Sequence, residues 1–206
     1  LPRGRVRGWL NDRIPDAVRA IQQAEDRGWF NESDEIVSAF AMLVAAILSG
    51  GSISKDTYQP SFSLSHQDSK DEVLQALNII GVNHTLRHRD CDHRSTEIVA
   101  TQPGTVLGRA LVVLGAPRGE KTLATYPRWL SSIDNEARLD FLRLYVRERG
   151  VKQAEKATRN LVEDRPDTFK QSLAKSIEIT TDEPATAGKR GVVVSADAIR
   201  KLGLAN

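Results

Sequence analysis

The segment that most constrains the fold is residues 43–54, LVAAILSGGSIS, because small and aliphatic residues fill almost all of it. It includes the end of a predicted helix, Ile36–Leu48, that begins after Ser33 and is apolar on nearly every side. A helix of this kind is stable only when other elements bury it on most sides. Two interpretations are open at this point. The segment is either a buried helix that ends at a glycine, or a helix whose small residues let a second helix touch it backbone to backbone.

The composition is that of an ordinary folded chain. Its 206 residues suit one large domain, or one domain with a smaller appendage. Apolar residues make up 40% of the sequence, which is enough for a core, and the 27% that are charged predict a soluble surface. The net charge of +2 is too small to indicate a nucleic-acid partner by itself, so the positions of the cations must decide.

Cysteine usage and hydropathy limit where the chain functions. The one cysteine, Cys91, excludes an internal disulfide and favours a reducing compartment, so we expect a cytoplasmic protein. The longest apolar run, Ala39–Leu48, is too short to cross a bilayer, and the first residues given show no signal-peptide pattern, so we expect no membrane partner. Because the sequence begins at Leu1 without methionine, we expect it to be a trimmed piece of a longer chain.

Hydrophobic periodicity predicts alternating helices and hairpins between residues 33 and 150. Ser61–Ser65 alternates with a period of two, with Phe62 and Leu64 facing the core. The other predicted elements are an N-terminal helix Ile14–Asp26, a helix Asp68–Ile80, a hairpin of Val82–Arg89 with Arg94–Ala100, a helix Pro103–Leu114 and a helix Ile133–Arg149. Hairpins with helices on one side predict an α+β fold with an open sheet face.

The pattern after Gly150 is different. Val151–Glu163 and Thr168–Lys175 are predicted to be helical, and Thr180–Lys189 is predicted to be a polar linker. A short strand, Gly191–Ser195, precedes a final helix, Ala196–Leu202. We therefore divide the chain into an N-terminal helical arm (1–32), a central domain (33–150), and a helical extension that holds a small C-terminal domain or the beginning of one (151–206).

Four motifs, in order along the chain, resemble the LAGLIDADG homing endonucleases and the related intein and maturase domains. LVAAILSGGSIS is similar to the family's signature helix, which usually ends in Gly-Asp-Gly-Ser-Ile. PSFSLSHQDSKDEVLQAL resembles the strand and helix that follow it, and LGAPRGEKTLATYPRWL resembles a family loop that leads to Pro-x-Trp. FLRLYVRERG, at 141–150, resembles the second signature helix, about one hundred residues after the first. The resemblance implies an αββαββα unit over roughly residues 33–150.

The family resemblance also implies a metal site that this sequence departs from. In the family, two signature helices pack around a pseudo-twofold axis, and an acidic residue at the end of each binds a divalent metal that activates water. These positions fall here on Gly50 and Arg149. Glu148 is one residue away, which turns it about 100° on a helix. The resemblance therefore implies the scaffold without metal-dependent cleavage, no catalytic residues and no cofactor.

The second half of the family fold is a further departure. The family continues into strands after the second signature, whereas 151–164 is predicted here to be helical. The second half is then missing, supplied by another chain, or rebuilt.

In the family, the open sheet face lies over the major groove of DNA, and alternating strand residues contact bases or phosphates. The residues that the resemblance assigns to such an interface carry hydroxyl, guanidinium or ammonium groups. They are Lys55, Tyr58, Ser61, Ser63, Ser65, Thr85, Arg87, Arg89, Arg94, Lys121 and Arg149. The alternative is an ordinary solvated sheet face and a solvated loop lysine.

Two further clusters carry less specific signals. His84, His88, Cys91 and His93 match no common zinc spacing, and contacts to phosphate are the favoured interpretation. A run of basic residues with helical spacing follows the second signature: Arg147, Arg149, Lys152, Lys156 and Arg159. This run is either part of a channel for a nucleic-acid backbone or an exposed face with interleaved glutamates.

Three functions from different classes are compatible with the sequence. The leading hypothesis is a catalytically inactive LAGLIDADG-like protein that binds DNA, or structured RNA, as a homodimer or within a larger assembly. The alternative is a divergent Mg²⁺-dependent endonuclease that uses Glu148, Glu97 or acids from a partner. The third is a protein-interaction scaffold without nucleic-acid binding.

Overall fold

The structure is a computed structural model of the chain, and it describes residues 17–31, 33–88, 96–152, 158–162 and 164–204. Among these residues, no helix is both long enough and apolar enough to cross a membrane. The helices are α1 (Ala17–Asp26), α2 (Asp34–Ser49), α3 (Gln67–Ile79), α4 (Gly104–Val113), α5 (Asn135–Arg149), α6 (Asp167–Thr181) and α7 (Ala196–Lys201), with a 3₁₀ helix at Arg128–Ser132. The strands are β1 (Ser52–Ile53), β2 (Pro60–Ser63), β3 (His84–His88), β4 (Thr96–Ala100), β5 (Gly150–Lys152), β6 (Arg159–Val162), β7 (Ala185–Gly188) and β8 (Gly191–Val194).

These elements form two halves with the same topology. Each half has a helix, two strands, a helix, two strands and a final helix: α2 to α4 in the first half and α5 to α7 in the second. Each half contains a four-stranded antiparallel sheet, in the order β1-β2-β4-β3 and β5-β6-β8-β7. The predicted αββαββα unit is confirmed, and it occurs twice in one chain.

The predicted helix Val151–Glu163 is wrong where the structure describes it. Residues 150–152 and 159–162 form the paired strands β5 and β6, and Leu161 is buried between Gly150 and Val192 of the neighbouring strands. Strands this short acquire their conformation from the sheet that they join rather than from local propensity. The second half of the fold is therefore present in this chain, neither missing nor supplied by a partner.

The predicted linker Thr180–Lys189 is also wrong, since α6 continues to Thr181 and β7 follows at Ala185. The final strand and helix are confirmed. Ser195 caps α7 by accepting a hydrogen bond from the amide of Ala198. The division of the chain at residues 32 and 150 stays a prediction.

The helix α2 lies at the centre of the core, as its composition predicts. Every residue from Ala39 to Ser49 except Met42 is buried, and the helix packs against α5, which holds the second signature. At the outer end of this pair, the hydroxyl of Ser38 donates to a carboxylate oxygen of Asp140. Both helices end at the edge of a sheet, because β1 and β5 follow them directly. The pair therefore joins the two halves.

The two glycines after α2 have a specific packing role. A Cβ atom on Gly50 would lie 2.1 Å from the backbone oxygen of Ser63, and one on Gly51 would lie 2.6 Å from that of Ser61. No side chain fits at such distances, so the glycines let the end of α2 contact the backbone of β2. The close backbone contact at these two glycines is with a strand, whereas the sequence predicted one with a second helix.

The segment after α1 is fixed to the first half of the fold. The indole nitrogen of Trp29 donates to the backbone oxygen of Ile80 at 2.7 Å, and the ring packs edge-on against Phe40 at 5.4 Å between centroids. A buried indole with a satisfied N–H anchors such a segment well.

Candidate nucleic-acid interface

Strand register aligns the hydroxyl and guanidinium groups of the first sheet. Residues directly opposite each other in antiparallel strands lie on the same face of the sheet. One row crosses the sheet as Ser52, Ser61, Val99 and Thr85, and the next crosses it as Ser63, Glu97 and Arg87. Phe62 and Ile98, in the row between them, are buried on the opposite face. We refer to Ser52, Ser61, Ser63, Thr85 and Arg87 as the first-sheet face.

The loop between β1 and β2 adds cations at the edge of this face. Arg118 lies over the ring of Tyr58, at 3.9 Å from its centroid, and donates a 2.6 Å hydrogen bond to the phenolic oxygen. Arg109 lies 5.2 Å from the same centroid. The side chain of Lys55 packs over Gly119, where a Cβ atom would be 2.2 Å from the lysine Cε. Tyr58 therefore holds guanidinium groups by cation–π contact beside the exposed Lys55.

Cations also gather where α2 ends. Lys121 Nζ donates to the backbone oxygen of Ser49 at 3.4 Å. Arg165 is buried, with 4% of its surface exposed, and donates to the backbone oxygen of Leu48 and to the hydroxyl of Tyr145. The carboxyl end of a helix carries partial negative charge and unpaired carbonyl groups. These two side chains donate hydrogen bonds to the carbonyl groups, and their positive charge interacts favourably with the helix dipole.

The end of α5 is occupied in a different way. Arg149 is half-buried and lies 3.9 Å from a carboxylate oxygen of Asp164. The carboxylate of Glu148 accepts hydrogen bonds from the backbone amides of Ser65 and His66, at 2.9 and 3.2 Å, just before α3 begins. Ser65 is thus close to the end of the second signature helix.

The residues at the two helix ends do not fit a divalent metal. Gly50 has no side chain and no room for one, Arg149 is a cation, and both oxygens of Glu148 already accept hydrogen bonds from amides. A Mg²⁺ site needs carboxylate oxygens arranged around a shared position. In the part of the chain that the structure describes, no three His, Cys, Asp or Glu side chains are grouped in a way that would hold a metal.

Of the eleven residues expected at the interface, nine are described. Arg89 and Arg94 lie outside the described residues, as do Cys91 and His93. The structure brings seven of them together. Strand β2 and the loops beside it hold Lys55, Tyr58, Ser61, Ser63 and Lys121, and the same sheet face continues to Thr85 and Arg87.

Several residues at the interface were not predicted from the sequence. Ser52 belongs to the GGSIS motif, and its hydroxyl lies 3.1 Å from that of Ser61. Arg118 lies in the loop that resembles the family, but only the structure brings it onto Tyr58. The position of Arg165 could not be predicted, because nothing in the sequence around it indicates a buried arginine.

The basic run after the second signature had two interpretations, a backbone channel or an exposed face, and its two end residues, Arg147 and Arg159, fit neither. Arg147 makes two hydrogen bonds to the carboxylate of Glu72, at 2.8 and 3.1 Å, and so joins α5 to α3. Arg159 lies in β6 and donates to the backbone oxygen of Leu204 at 2.8 Å. Burial, together with the charge of Arg147, lowers the pKa of Arg159. Neither guanidinium belongs to a solvent-exposed channel.

The corresponding face of the second sheet has a different chemistry. Its central row crosses the sheet as Val151, Asn160, Val193 and Thr186, and Val151 and Val193 are 60% and 42% exposed. That row contains no charged side chain. Lys189 and Arg190 are exposed in the turn between β7 and β8.

Comparison with known proteins identifies the fold class. No protein-family model matches the sequence, and no curated protein matches it. Among solved structures, full-length DUF199/WhiA from Thermatoga maritima matches 84% of this chain, with a TM-score of 0.57 and 14% identity. The N-terminal LAGLIDADG domain of DUF199/WhiA matches 88% of this chain and 90% of that domain, with a TM-score of 0.53 and 14% identity. The chain therefore has a LAGLIDADG-like α+β fold.

A homing endonuclease has a similar fold. I-DmoI, solved in complex with DNA and Mn, matches 82% of this chain and 97% of its own, with a TM-score of 0.52 and 10% identity. The match to full-length DUF199/WhiA covers 56% of that longer protein. At these identities the similarity defines the fold, and the function has to be argued from the residues of this chain.

Proposed function

We propose that this chain binds nucleic acid, DNA in preference to RNA, through the first-sheet face and the adjoining β1–β2 loop, and that it does not cleave what it binds. The observation that carries the proposal is that two rows of one sheet align three serines, Thr85 and Arg87, with Val99 and Glu97 on the strand between them, beside the Arg118–Tyr58 contact. Two solved structures of similar fold support DNA binding: I-DmoI contains DNA, and the homing endonuclease I-WcaI is bound to its DNA recognition sequence.

The chemistry of this surface suits a duplex. Arginine donates two hydrogen bonds to a guanine edge or to a phosphate, and serine and threonine hydroxyls bond to either. The major groove of B-form DNA admits a β-ribbon, whereas that of an A-form RNA helix is too narrow for side chains to read. This difference favours DNA. A homodimer is not needed for the interface, because one chain contains both halves of the fold.

The chemistry at the helix ends opposes cleavage. Lys121, Arg149 and Arg165 lie at the ends of the two signature helices, where the family resemblance would place a metal ion, and a cation repels a divalent metal strongly in a partly buried site. The endonuclease alternative would use Glu148, Glu97 or acids from a partner, and of these the Glu148 carboxylate already accepts two backbone hydrogen bonds. We therefore propose that the scaffold positions nucleic acid without activating water.

The experiment is a salt titration of binding to a mixed-sequence DNA duplex, measured by fluorescence anisotropy. We expect micromolar affinity at low salt, and a log-log slope that reports the number of phosphate contacts. Arg87→Ala and Arg118→Ala should each weaken binding about tenfold and lower the slope by about 1. Single-stranded DNA and duplex RNA of the same length test the preference for DNA.

The matched control is Arg200→Ala, because Arg200 is an exposed arginine on α7 whose ion pair is with Asp197 of the same helix. It should leave affinity and slope unchanged. An equal loss in all three variants would show that binding depends on net charge alone. Absence of binding at low salt would favour the protein-interaction scaffold, and Mg²⁺-dependent cutting of plasmid would contradict the proposed inactivity.

A further inference from the structure

A cavity of about 680 Å³ lies between the 3₁₀ helix at Arg128–Ser132, the start of α5, and α6. Its lining includes three cations, Arg128, Arg138 and Lys175, and no carboxylate. Arg138 and Arg149 lie eleven residues apart on α5, which is about 16 Å along the helix axis. The cavity is therefore well removed from the end of α5 that meets the sheet. Its volume is in the range of small-molecule sites.

The charges in this cavity are poorly compensated within the chain. Arg138 donates to the backbone oxygen of Ile133 at 2.9 Å, but its Nε is buried and has no hydrogen-bond partner among the described residues. A donor this inaccessible cannot meet a molecule in the cavity, so Arg138 offers an anion its positive charge rather than this N–H. Lys175 has only a weak, exposed contact with Glu178 at 3.8 Å, and the structure records no ion pair for Arg128 within its described part.

The remaining lining has the features of a site for an organic molecule. Hydroxyl and amide side chains that can bind anionic oxygens are present at Ser131, Thr168, Gln171 and Ser172. Tyr126 and Pro127 form an apolar wall, and Ile179 is 57% exposed at its border. Tyr126 is fixed by edge-on contacts with Phe141 and Phe169, with centroids at 5.9 and 5.6 Å. The phenol of Tyr126 is neutral at physiological pH, and burial raises its pKa further, so it does not repel an anion.

A second cavity, which lies between the two halves of the molecule, provides an internal comparison. This cavity of about 540 Å³ lies between α2, α3 and the start of α5, and acidic side chains dominate its lining. They are Asp34, Glu35, Glu72, Asp134, Glu136 and Asp140. The single cation there, Arg143, is paired with Asp140 at 3.0 Å. Since both halves have the same topology, the positive charge of the first cavity comes from its side chains and not from the fold.

We propose that the cavity bordered by Arg128, Arg138 and Lys175 binds a small organic anion. Its phosphoryl or carboxylate group lies among the three cations, and its apolar part lies against Tyr126, Pro127 and Ile179. This site is separate from the nucleic-acid interface proposed above, and the chain uses it whether or not nucleic acid is bound.

The test is thermal unfolding of the full chain at constant ionic strength, with pyrophosphate and citrate as separate probes and sodium chloride as the reference salt. We expect at least one probe to raise Tm by about 5 °C when present at 100 times its dissociation constant. Comparing the two probes distinguishes a phosphoryl site from a carboxylate site. Amide shifts in NMR spectra should be confined to 125–138 and 168–179.

Variants make the proposal falsifiable. Arg128→Gln and Lys175→Gln change exposed residues, so the fold should persist, and each should remove most of the anion-dependent rise in Tm. Arg200→Gln is the matched control and should retain it. The proposal is overturned if millimolar pyrophosphate and citrate leave Tm at its value in chloride, or if all three variants respond equally. It is also overturned if the two cavity variants weaken DNA binding as much as Arg87→Ala does, because the cations would then contact nucleic acid.

Discussion

Gly50 stands at the position where the resemblance would place a metal-binding carboxylate, and its surroundings explain why no acidic side chain fits there. The backbone oxygen of Ser63 lies 2.1 Å from the position that a Cβ atom would take. The backbone of a paired strand cannot move away without breaking the hydrogen bonds to its neighbouring strand. Any side chain at Gly50 would therefore destabilise the sheet. The absence of an acid at this position is therefore coupled to the packing of β2 on α2.

We predict that Gly50→Ala destabilises the protein by about 2–4 kcal/mol, because the new methyl group displaces β2. Gly188→Ala is the matched control, since a Cβ atom there would meet nothing closer than 3.9 Å. It should change the free energy of unfolding by about 0.5 kcal/mol or less. Urea denaturation measures both. Equal effects of the two substitutions would show that Gly50 is not in close contact with the strand.

Gly50→Asp tests chemistry at the same position. We expect it to be at least as destabilising as Gly50→Ala and to show no Mg²⁺-dependent cleavage of plasmid DNA, because Arg149 still places a positive charge nearby. Cleavage by this single variant would mean that the alignment of Gly50 with the family's acidic position is wrong.

At the scale of elements, Glu148 joins the second signature helix to the first half of the fold. Its two carboxylate oxygens accept from the amides of Ser65 and His66, which lie at the start of α3. An acidic group at this end of a helix satisfies unpaired N–H groups and interacts favourably with the helix dipole. Arg147, next to it in sequence, binds Glu72 of the same helix. Adjacent residues of α5 thus hold α3 at two points.

We predict that Glu148→Ala lowers the free energy of unfolding by about 1–2 kcal/mol. Glu148→Gln keeps an acceptor oxygen but removes the charge, so it should cost about half as much. Chemical denaturation of both variants measures the difference. An unchanged stability in Glu148→Ala would contradict the capping role and would return Glu148 to the candidates for a metal ligand.

At the scale of the whole molecule, two halves of the same topology present unlike faces. The first-sheet face carries serine, threonine and arginine, whereas the central row of the second sheet carries Val151, Asn160, Val193 and Thr186. Direct readout of bases needs donors and acceptors on the sheet, and phosphate contacts need cations. The second half has Lys189 and Arg190 at its edge, where they suit phosphate rather than bases.

We therefore predict that the two halves contribute unequally to DNA binding. Asn160→Ala and Thr186→Ala should each change affinity by about twofold or less, against about tenfold for Arg87→Ala. Anisotropy titrations of the three variants, run under the same salt conditions, make the comparison. If the two second-sheet variants weaken binding as much as Arg87→Ala does, both sheets contribute equally to DNA binding and the prediction is wrong.

Much of the fold could be predicted because burial imposes a period on the sequence. The apolar residues of α2, the alternation around Phe62, and the cap at Ser195 each follow from a local rule, and each is observed. The strands β5 and β6 could not be predicted in this way. β5 pairs with β6, and β6 pairs in turn with β8, which lies about thirty residues away in sequence, so the sheet rather than local propensity stabilises these few residues.

The sequence by itself determined that α2 must be buried and that an αββαββα unit follows from residue 33, and the family resemblance placed Gly50 and Arg149 at the acidic positions of the signatures. Only the tertiary structure decided that the unit is doubled, that Arg165 reaches the end of α2, and that Arg147 and Arg159 are engaged inside the protein. The physical reason is that periodicity records which face of an element avoids water. It does not record which distant backbone or side chain meets that face.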